Sequence, residues 1–132
     1  MEISPLAKKL LIKPNQSIMV MNAPAGYLDK LRPLPAGARL LDRADTPVDF
    51  IQFFVKDSQE LEKNAPVVIK AVKEDGLLWV CYPKGSSKVK TDLNRDILWA
   101  AMAKFGLAGV SMVSLDEVWS AMRLRPAARV GK

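Results

Sequence analysis

Short, mainly apolar runs recur along the chain, and each is closed by proline, glycine or a charged residue. Four of them are Ser17–Met21, Ala38–Leu41, Phe50–Val55 and Leu77–Tyr82. Apolar runs that lack polar alternation are typical of strands covered on both faces, as in a parallel sheet packed between helices. Four buried strands are therefore predicted.

The segments between these runs carry helix signals. Ser4-Pro5 predicts the N-cap and first turn of a short helix that Pro14 stops, and Tyr27–Arg32 predicts a second short helix. A third helix begins at Asp57 or Ser58, either of which can act as its N-cap. Its buried face is formed by residues at helical spacing: Leu61, Ala65, Val68 and Val72.

A proline and a glycine affect the middle and the end of the predicted third helix. Pro66 lies inside the third helix and should kink or divide it. Gly76 is predicted at the C′ position just past the helix end, where a left-handed conformation favours glycine. A fourth helix is predicted from Thr91-Asp92 through Phe105.

Two strands are predicted near the C-terminus, at Val110–Leu115 and Val118–Leu124, with a tight turn at Asp116-Glu117. Partial alternation of apolar and polar residues in the second strand favours an antiparallel or edge position. Strand–helix alternation followed by a hairpin predicts an α/β fold with three layers. We expect a Rossmann-like, mostly parallel sheet of about six strands that ends in an antiparallel hairpin, with residues 1–126 as a single domain and 127–132 as a flexible basic tail.

The order of these parts resembles the class I S-adenosylmethionine methyltransferase fold. Lys73–Val80 is similar to that fold's helix, glycine-containing turn and following strand, and the closing hairpin fits its antiparallel end. The resemblance implies a sheet order of 2-1-3-4-6-5 with strand six antiparallel. It also implies that about one βα unit of the fold is missing between Asp42 and Asp49.

A second resemblance covers nearly the whole chain. The chain resembles a family of small bacterial proteins of unknown function, and the matching segments are Asn22–Tyr27, Phe50–Val55, Leu78–Lys84, Lys88–Asp96 and Trp119–Pro126. The run Lys90-Thr91-Asp92-Leu93-Asn94-Arg95-Asp96 is fairly specific to that family. This resemblance implies a shape and carries over no established activity.

Composition limits the chemistry. The 132 residues include no histidine and one cysteine, Cys81. A Ser-His-Asp or Cys-His nucleophile, a histidine base and a zinc site are thereby excluded. No apolar run reaches the roughly 20 residues of a membrane span, and the first residues lack the order of a secretion signal. We expect a cytoplasmic protein without contact to membranes.

The net charge of +6 is placed unevenly. The loop Lys84–Lys90 carries three lysines and no acid, and the end of the chain adds Arg123, Arg125, Arg129 and Lys132. Such clusters can bind phosphates or acidic partners, or they can simply confer solubility. The tryptophans are not interleaved with basic residues, so no specific nucleic acid is expected. All three tryptophans are predicted to pack in or near the core.

The loop after the fourth strand is the main candidate site. Lysines, serine hydroxyls and the start of a helix can together attract an anion beyond the strand's C-terminal end. The candidate residues are Lys84, Gly85, Ser86, Ser87, Lys88, Lys90, Thr91 and Arg95. Asp92 and Asp96, one helical turn apart, are interpreted as acids that suit the positive end of the helix dipole rather than as metal ligands.

A second candidate site lies at the turn after the first strand. In dinucleotide and S-adenosylmethionine folds this turn is glycine-rich, and an acid about 20 residues later binds the ribose. Gly26 is the turn's glycine here, Pro24 removes a donor, and Asp42 follows Asn22 at the family spacing. Asn22, Gly26 and Asp42 are therefore an alternative cofactor-binding set, beside the interpretation as a structural turn and a solvated aspartate.

Three hypotheses remain open. The first is a non-catalytic module that binds an anionic ligand or protein partner at the strand C-terminal face without a cofactor. The second is a diverged methyltransferase relative that binds S-adenosylmethionine or a nucleotide. The third is an interaction domain, monomeric or joined as a homodimer through its hairpin edge.

Overall fold

Six strands form one sheet in this computed structural model, which describes residues 4–41, 47–84 and 91–127. The strands are β1 (Ser17–Met21), β2 (Arg39–Leu41), β3 (Val48–Phe54), β4 (Val72–Pro83), β5 (Leu107–Ser114) and β6 (Trp119–Pro126). They lie in the order β2-β1-β3-β4-β6-β5. The first four strands are mutually parallel, and β6 runs antiparallel to both β4 and β5. The predicted fold class and strand order are confirmed.

Within these described residues, four helices cover the sheet: α1 (Pro5–Lys9), α2 (Tyr27–Leu31), α3 (Ser58–Ala71) and α4 (Arg95–Ala103). Ser4 caps α1 as predicted, because its Oγ accepts from the backbone N–H of Leu6 and Ala7. The Oδ1 atom of Asp57 caps α3 by accepting from the Glu60 N–H at 2.9 Å.

Each face of the sheet has its own hydrophobic core. On one face, residues of α1 and α2 pack on the alternate residues of β1, β3 and β4, including Phe50, Phe54 and Trp79. The indole N–H of Trp79 donates to the Leu10 carbonyl at 3.0 Å and so joins the end of α1 to the sheet. On the other face, α3 and α4 pack on the remaining residues of β3, β4 and β6. This is the three-layer arrangement that the apolar runs predict.

Two predictions concern α3 and its exit. Of the two effects predicted for Pro66, division of the helix is wrong, because the helix continues through Pro66 to Ala71, and a kink stays a prediction. Gly76 is not a C′ residue, because the chain passes from α3 directly into β4 and places Gly76 inside that strand. A glycine is needed there for a different reason: a Cβ would lie 2.9 Å from Val72 Cγ2 and 3.1 Å from the Asp49 carbonyl.

The start of α4 also differs from the prediction. The helix begins at Arg95 rather than Thr91-Asp92 and ends at Ala103 rather than Phe105. Asn94 is its N-cap, with Oδ1 accepting from the Ile97 N–H at 2.9 Å. The carboxylate of Asp92 instead accepts from the Ser58 N–H at the start of α3.

The C-terminal hairpin is confirmed, with strand ends a few residues from those predicted. Its turn is held by Asp116, whose Oδ1 accepts from the N–H groups of Val118 and Trp119 at 2.7 and 2.8 Å. Among the tryptophans, Trp79 is buried, but Trp99 is 46% exposed, so its predicted place in the core is wrong. Trp99 faces outward because α4 buries Leu98, Ala101 and Met102 instead. No helix in the described ranges has the length and apolar character needed to span a membrane.

Candidate functional site

The C-terminal ends of β1 and β3 lie side by side, and the chain leaves them in opposite directions. From β1 it crosses through α2 to β2 on one side, and from β3 it crosses through α3 to β4 on the other. This is a topological switch point, where open α/β sheets form a crevice beyond the strand ends. A cleft of about 600 Å³ opens at this point.

Four parts of the chain line the cleft. They are the turn after β1, the end of β3, the exposed side of α3 and the first residue of β6: Asn22, Ala23, Pro24, Phe54, Lys56, Glu60, Lys63, Asn64 and Trp119. Trp119 reaches the cleft because β6 is antiparallel. Its register with β4 pairs Trp119 with Pro83, so the start of β6 lies beside the ends of the parallel strands.

Aromatic rings form one wall of the cleft. The Phe54 ring meets the Trp119 ring edge-on, with centroids 5.1 Å apart and planes at 84°. Behind it, Phe54 also contacts the Tyr27 ring at 4.8 Å and 68°. Phe54 is buried, whereas Trp119 is half-buried and presents indole surface to the cleft. Such a surface can pack against a flat, partly apolar ligand group.

The turn after β1 takes two left-handed residues, Asn22 with φ 58° and Gly26 with φ 79°. A Cβ on Gly26 would meet no heavy atom within 4 Å, so the backbone conformation, not crowding, favours glycine there. Gly26 directly precedes α2 and leads into it as its N-cap residue. Of the predicted cofactor set, Asn22 lines the cleft, Gly26 ends its turn, and Asp42 lies outside the described residues.

A buried polar chain lies beneath that turn. The Tyr27 hydroxyl donates to Gln52 Oε1 at 2.8 Å, and Gln52 Nε2 lies 3.3 Å from Cys81 Sγ. Burial raises the pKa of Tyr27 and raises the pKa of Cys81 to about 12. Both groups therefore stay protonated near neutral pH. Their arrangement holds the first residue of α2, and with it the turn, against the central strands.

Charged and amide groups line the opposite side of the cleft. Lys56 follows β3, and Glu60, Lys63 and Asn64 lie on one side of α3. Asn64 Nδ2 donates to the Glu60 carbonyl at 2.9 Å, which leaves its Oδ1 able to accept. The cleft thus offers two amines and one carboxylate close to an aromatic wall. These groups can bind a ligand that carries both a ring and charged substituents.

The N-terminus of α3 is already occupied by carboxylates of the protein. Besides the Asp57 cap, the Ser58 N–H donates to Asp92 Oδ1 at 2.8 Å, and the Ser58 hydroxyl donates to Asp92 Oδ2. These bonds lower the pKa of Asp92, the hydroxyl contributing more than the backbone N–H. Asp92 therefore acts as a second cap from a distant part of the chain, and it does not pair with Asp96, which lies 3.4 Å from Arg95 Nε.

The predicted anion-binding loop is only partly described. Lys84 Nζ donates to Ser114 Oγ at 2.5 Å, and Thr91 Oγ1 accepts from the Leu93 N–H at 3.0 Å. Arg95 lines a groove between α4 and β5, away from the residues that line the cleft. The other candidates lie outside the described residues: Gly85, Ser86, Ser87, Lys88 and Lys90. Anion binding by this loop stays a prediction.

Sequence analysis missed most of the cleft. Lys56 could have been found, because it follows a predicted buried strand just as Lys84 does. Glu60, Lys63 and Asn64 share one side of α3, at i, i+3 and i+4 spacing. Trp119 could have been found from the predicted antiparallel last strand, whose first residue must lie beside the C-terminal ends of the parallel strands.

Neither models of known protein families nor curated protein sequences match this chain. Solved structures do. A ribosomal protein L11 methylase from Lactobacillus delbrueckii subsp. bulgaricus has a TM-score of 0.63 at 12% identity, over 92% of this chain and 74% of that one. An S-adenosylmethionine-dependent methyltransferase from Aquifex aeolicus has a TM-score of 0.61 at 12% identity, over 89% of this chain and 85% of that one.

A further similar structure is a protein of the NADB-Rossmann superfamily from Streptococcus agalactiae. It has a TM-score of 0.54 at 10% identity, over 96% of this chain and 69% of that one. Identities this low establish the fold and not the activity. The chain has a methyltransferase-like Rossmann fold, as the sequence resemblance implies.

Proposed function

We propose that the cleft binds S-adenosylmethionine or a closely related adenosyl ligand. The observation that carries the proposal is the cleft's position at the switch point, between the turn after β1 and the end of β3. Open α/β sheets bind nucleotide-type ligands at this point. The fold likeness to an S-adenosylmethionine-dependent methyltransferase supports the same ligand class.

The cleft's side chains match the two ends of such a ligand. Trp119 offers indole surface for an adenine or another flat group, next to the buried Phe54 ring. The amino acid end of S-adenosylmethionine carries a carboxylate and an ammonium group. Lys56 or Lys63 can pair with the ligand carboxylate, and Glu60 can pair with the ligand ammonium group. All three side chains line the same cleft. The ribose role predicted for Asp42 belongs to this proposal.

Thermal unfolding with a ligand panel tests the proposal. S-adenosylmethionine, S-adenosylhomocysteine and adenosine should each raise the melting temperature. A ligand at about 100 times its Kd adds about 2.7 kcal/mol, which is several degrees for a domain of this size. The ligand class is wrong if none of the three shifts the transition at millimolar concentration.

A matched pair of variants on α3 locates the site. Glu60→Gln removes the carboxylate that lines the cleft, and Glu62→Gln removes an exposed carboxylate two residues away that does not line it. Glu60→Gln should weaken S-adenosylmethionine binding by about tenfold, or about 1.4 kcal/mol, by loss of a charge-assisted contact. Glu62→Gln should leave the affinity unchanged. Equal affinities for both variants would remove the cleft from the proposal.

A second candidate function is a non-catalytic module for an anionic ligand. It is favoured by the two lysines, Lys56 and Lys63, which outnumber the one acid of the cleft. If it is correct, a phosphate-bearing nucleotide should raise the melting temperature while S-adenosylmethionine does not. Lys63→Glu should abolish that shift if the anion sits in the cleft. Charge reversal at Lys88 and Lys90 should abolish it if the anion sits in the loop.

A further inference from the structure

The edge strand β5 lacks two of the features that usually protect a sheet edge. In the described part of the chain it pairs with β6 alone, and its sequence from Leu107 to Ser114 contains no charged residue and no proline. Edge strands of soluble monomers usually carry lysine, proline or inward charges, because an open row of N–H and C=O groups attracts another strand. An uncharged edge strand is suited to pairing wherever its outward backbone groups are accessible.

Apolar side chains surround this edge. Val110 and Met112 on β5 are 36% and 41% exposed, and Trp99 on α4 is 46% exposed. These three residues line one groove of about 250 Å³ between α4 and β5. Ile97, 43% exposed, extends the apolar surface along α4. Grouped apolar residues of this kind mark interaction surfaces rather than ordinary solvated surface.

The hydrogen-bond pattern shows where another strand can pair. The Leu115 N–H donates inward to the Trp119 carbonyl, so the backbone groups of Ser114 and Met112 point outward by alternation. The outward Ser114 carbonyl already accepts from Lys9 Nζ at 2.6 Å. A bulge between Gly109 and Ser111 interrupts the other end of β5. Met112 is therefore the centre of the available edge.

We propose that a second copy of this chain covers the edge, with the two β5 strands paired antiparallel about a two-fold axis near Met112. The sheet alternates direction from β4 through β6 to β5, and an antiparallel β5 from a second copy continues that alternation. The contact is isologous, so one uncharged strand serves both sides.

Charges on α4 fit the same axis. Asp96 lies in the first turn of α4 with Arg95 Nε 3.4 Å from its carboxylate, and Lys104 is the C-cap residue of the helix. Two copies of α4 related by the axis run antiparallel, which brings Asp96 of one copy toward Lys104 of the other. The exposed helix surface between these charges is apolar and contains Trp99, Ala100 and Ala103. The Asp96 side chain stays 83% exposed beside Arg95, so it can also meet Lys104 of a second copy, and this match favours a second copy over an unrelated strand.

Sedimentation equilibrium over a range of concentrations tests the proposal. The chain should have twice its 14.6 kDa mass at micromolar concentration. Met112→Lys brings two lysines, one from each copy, together at the two-fold axis. Their repulsion should raise the dimer dissociation constant by at least about tenfold. Val67→Lys is the matched control, because Val67 is 60% exposed on α3 and distant from β5 in the sheet order. It should leave the dimer unchanged.

A second measurement and variant keep the test decisive if Met112→Lys folds poorly. Hydrogen exchange of the Met112 amide in the unaltered chain should slow as concentration rises, because pairing protects an outward N–H. Val110→Lys should weaken the dimer as well. A chain that stays monomeric to hundreds of micromolar, or a dimer that both lysine variants preserve, overturns the proposal.

Discussion

The buried contact between Tyr27 and Gln52 makes the sharpest energetic prediction. Gln52 is fully buried and Tyr27 is 4% exposed, and the hydroxyl donates to Oε1 over 2.8 Å. Tyr27→Phe removes the donor and leaves a buried amide oxygen without it. Gln52→Met removes the acceptor at nearly constant shape and leaves the hydroxyl without a partner. Each change should cost about 1–3 kcal/mol, because a buried polar group loses a hydrogen bond that compensates for its removal from water.

The double variant should be less unstable than the sum of the two. Once both groups are apolar, neither is left unsatisfied, and the coupling energy should be about 1–2 kcal/mol. Urea unfolding followed by circular dichroism measures it, since about 1 kcal/mol moves the midpoint by roughly 0.5–1 M for a small domain.

Tyr82→Phe is the matched control. The Tyr82 hydroxyl donates to the sulfur of Met112 at 3.8 Å, and sulfur is a weak acceptor. Its loss should cost less than about 0.5 kcal/mol. Additive costs for Tyr27→Phe and Gln52→Met would refute the reasoning, because they would show that the two groups do not stabilise each other.

Three further predictions concern separate positions. The Asp49 pKa is lowered, first by the 2.7 Å bond from Lys73 and then by bonds from Ser17. Asp49→Asn should therefore cost about 1–2 kcal/mol at pH 7. That cost should shrink as pH falls below about 4 toward the lowered pKa, measured by urea unfolding across pH. Gly76→Ala should cost about 1–3 kcal/mol in the same assay, because its Cβ would overlap neighbouring atoms. Cys81, buried with its pKa raised to about 12, should react with a thiol reagent only as fast as the protein opens; rapid reaction of the native protein would contradict its position.

The fold class could be predicted from the chain because two signals agree, whereas the strand order was implied by the resemblance to the class I methyltransferase fold. Mainly apolar runs indicate strands covered on both faces, and the weaker pattern of Val118–Leu124 indicates a different, antiparallel position. The helix boundaries were harder to predict from the sequence. Asp92 has the chemistry of an N-cap, but its carboxylate is bound by Ser58, which is 34 residues distant. Local sequence cannot show that a capping group serves another helix.

In the candidate site, too, local sequence revealed some residues but not those that only strand pairing brings together. Asn22 and Gly26 were found because a turn after a buried strand has a recognisable composition. The aromatic wall was not found, since Phe54 and Trp119 meet only through the pairing of β4 with β6. Trp99 misled the sequence analysis, because a tryptophan at helical spacing looks the same whether it packs inward or stands beside an open edge.

The three tryptophans lie at three depths, which gives the protein built-in optical probes. Trp79 is 1% exposed in the core, Trp119 borders the cleft, and Trp99 is 46% exposed beside β5. An aqueous quencher such as iodide reaches the emission of Trp99 first and that of Trp79 only on unfolding. Variants that keep one tryptophan at a time would report separately on the β5 edge, the cleft and the core without any attached label.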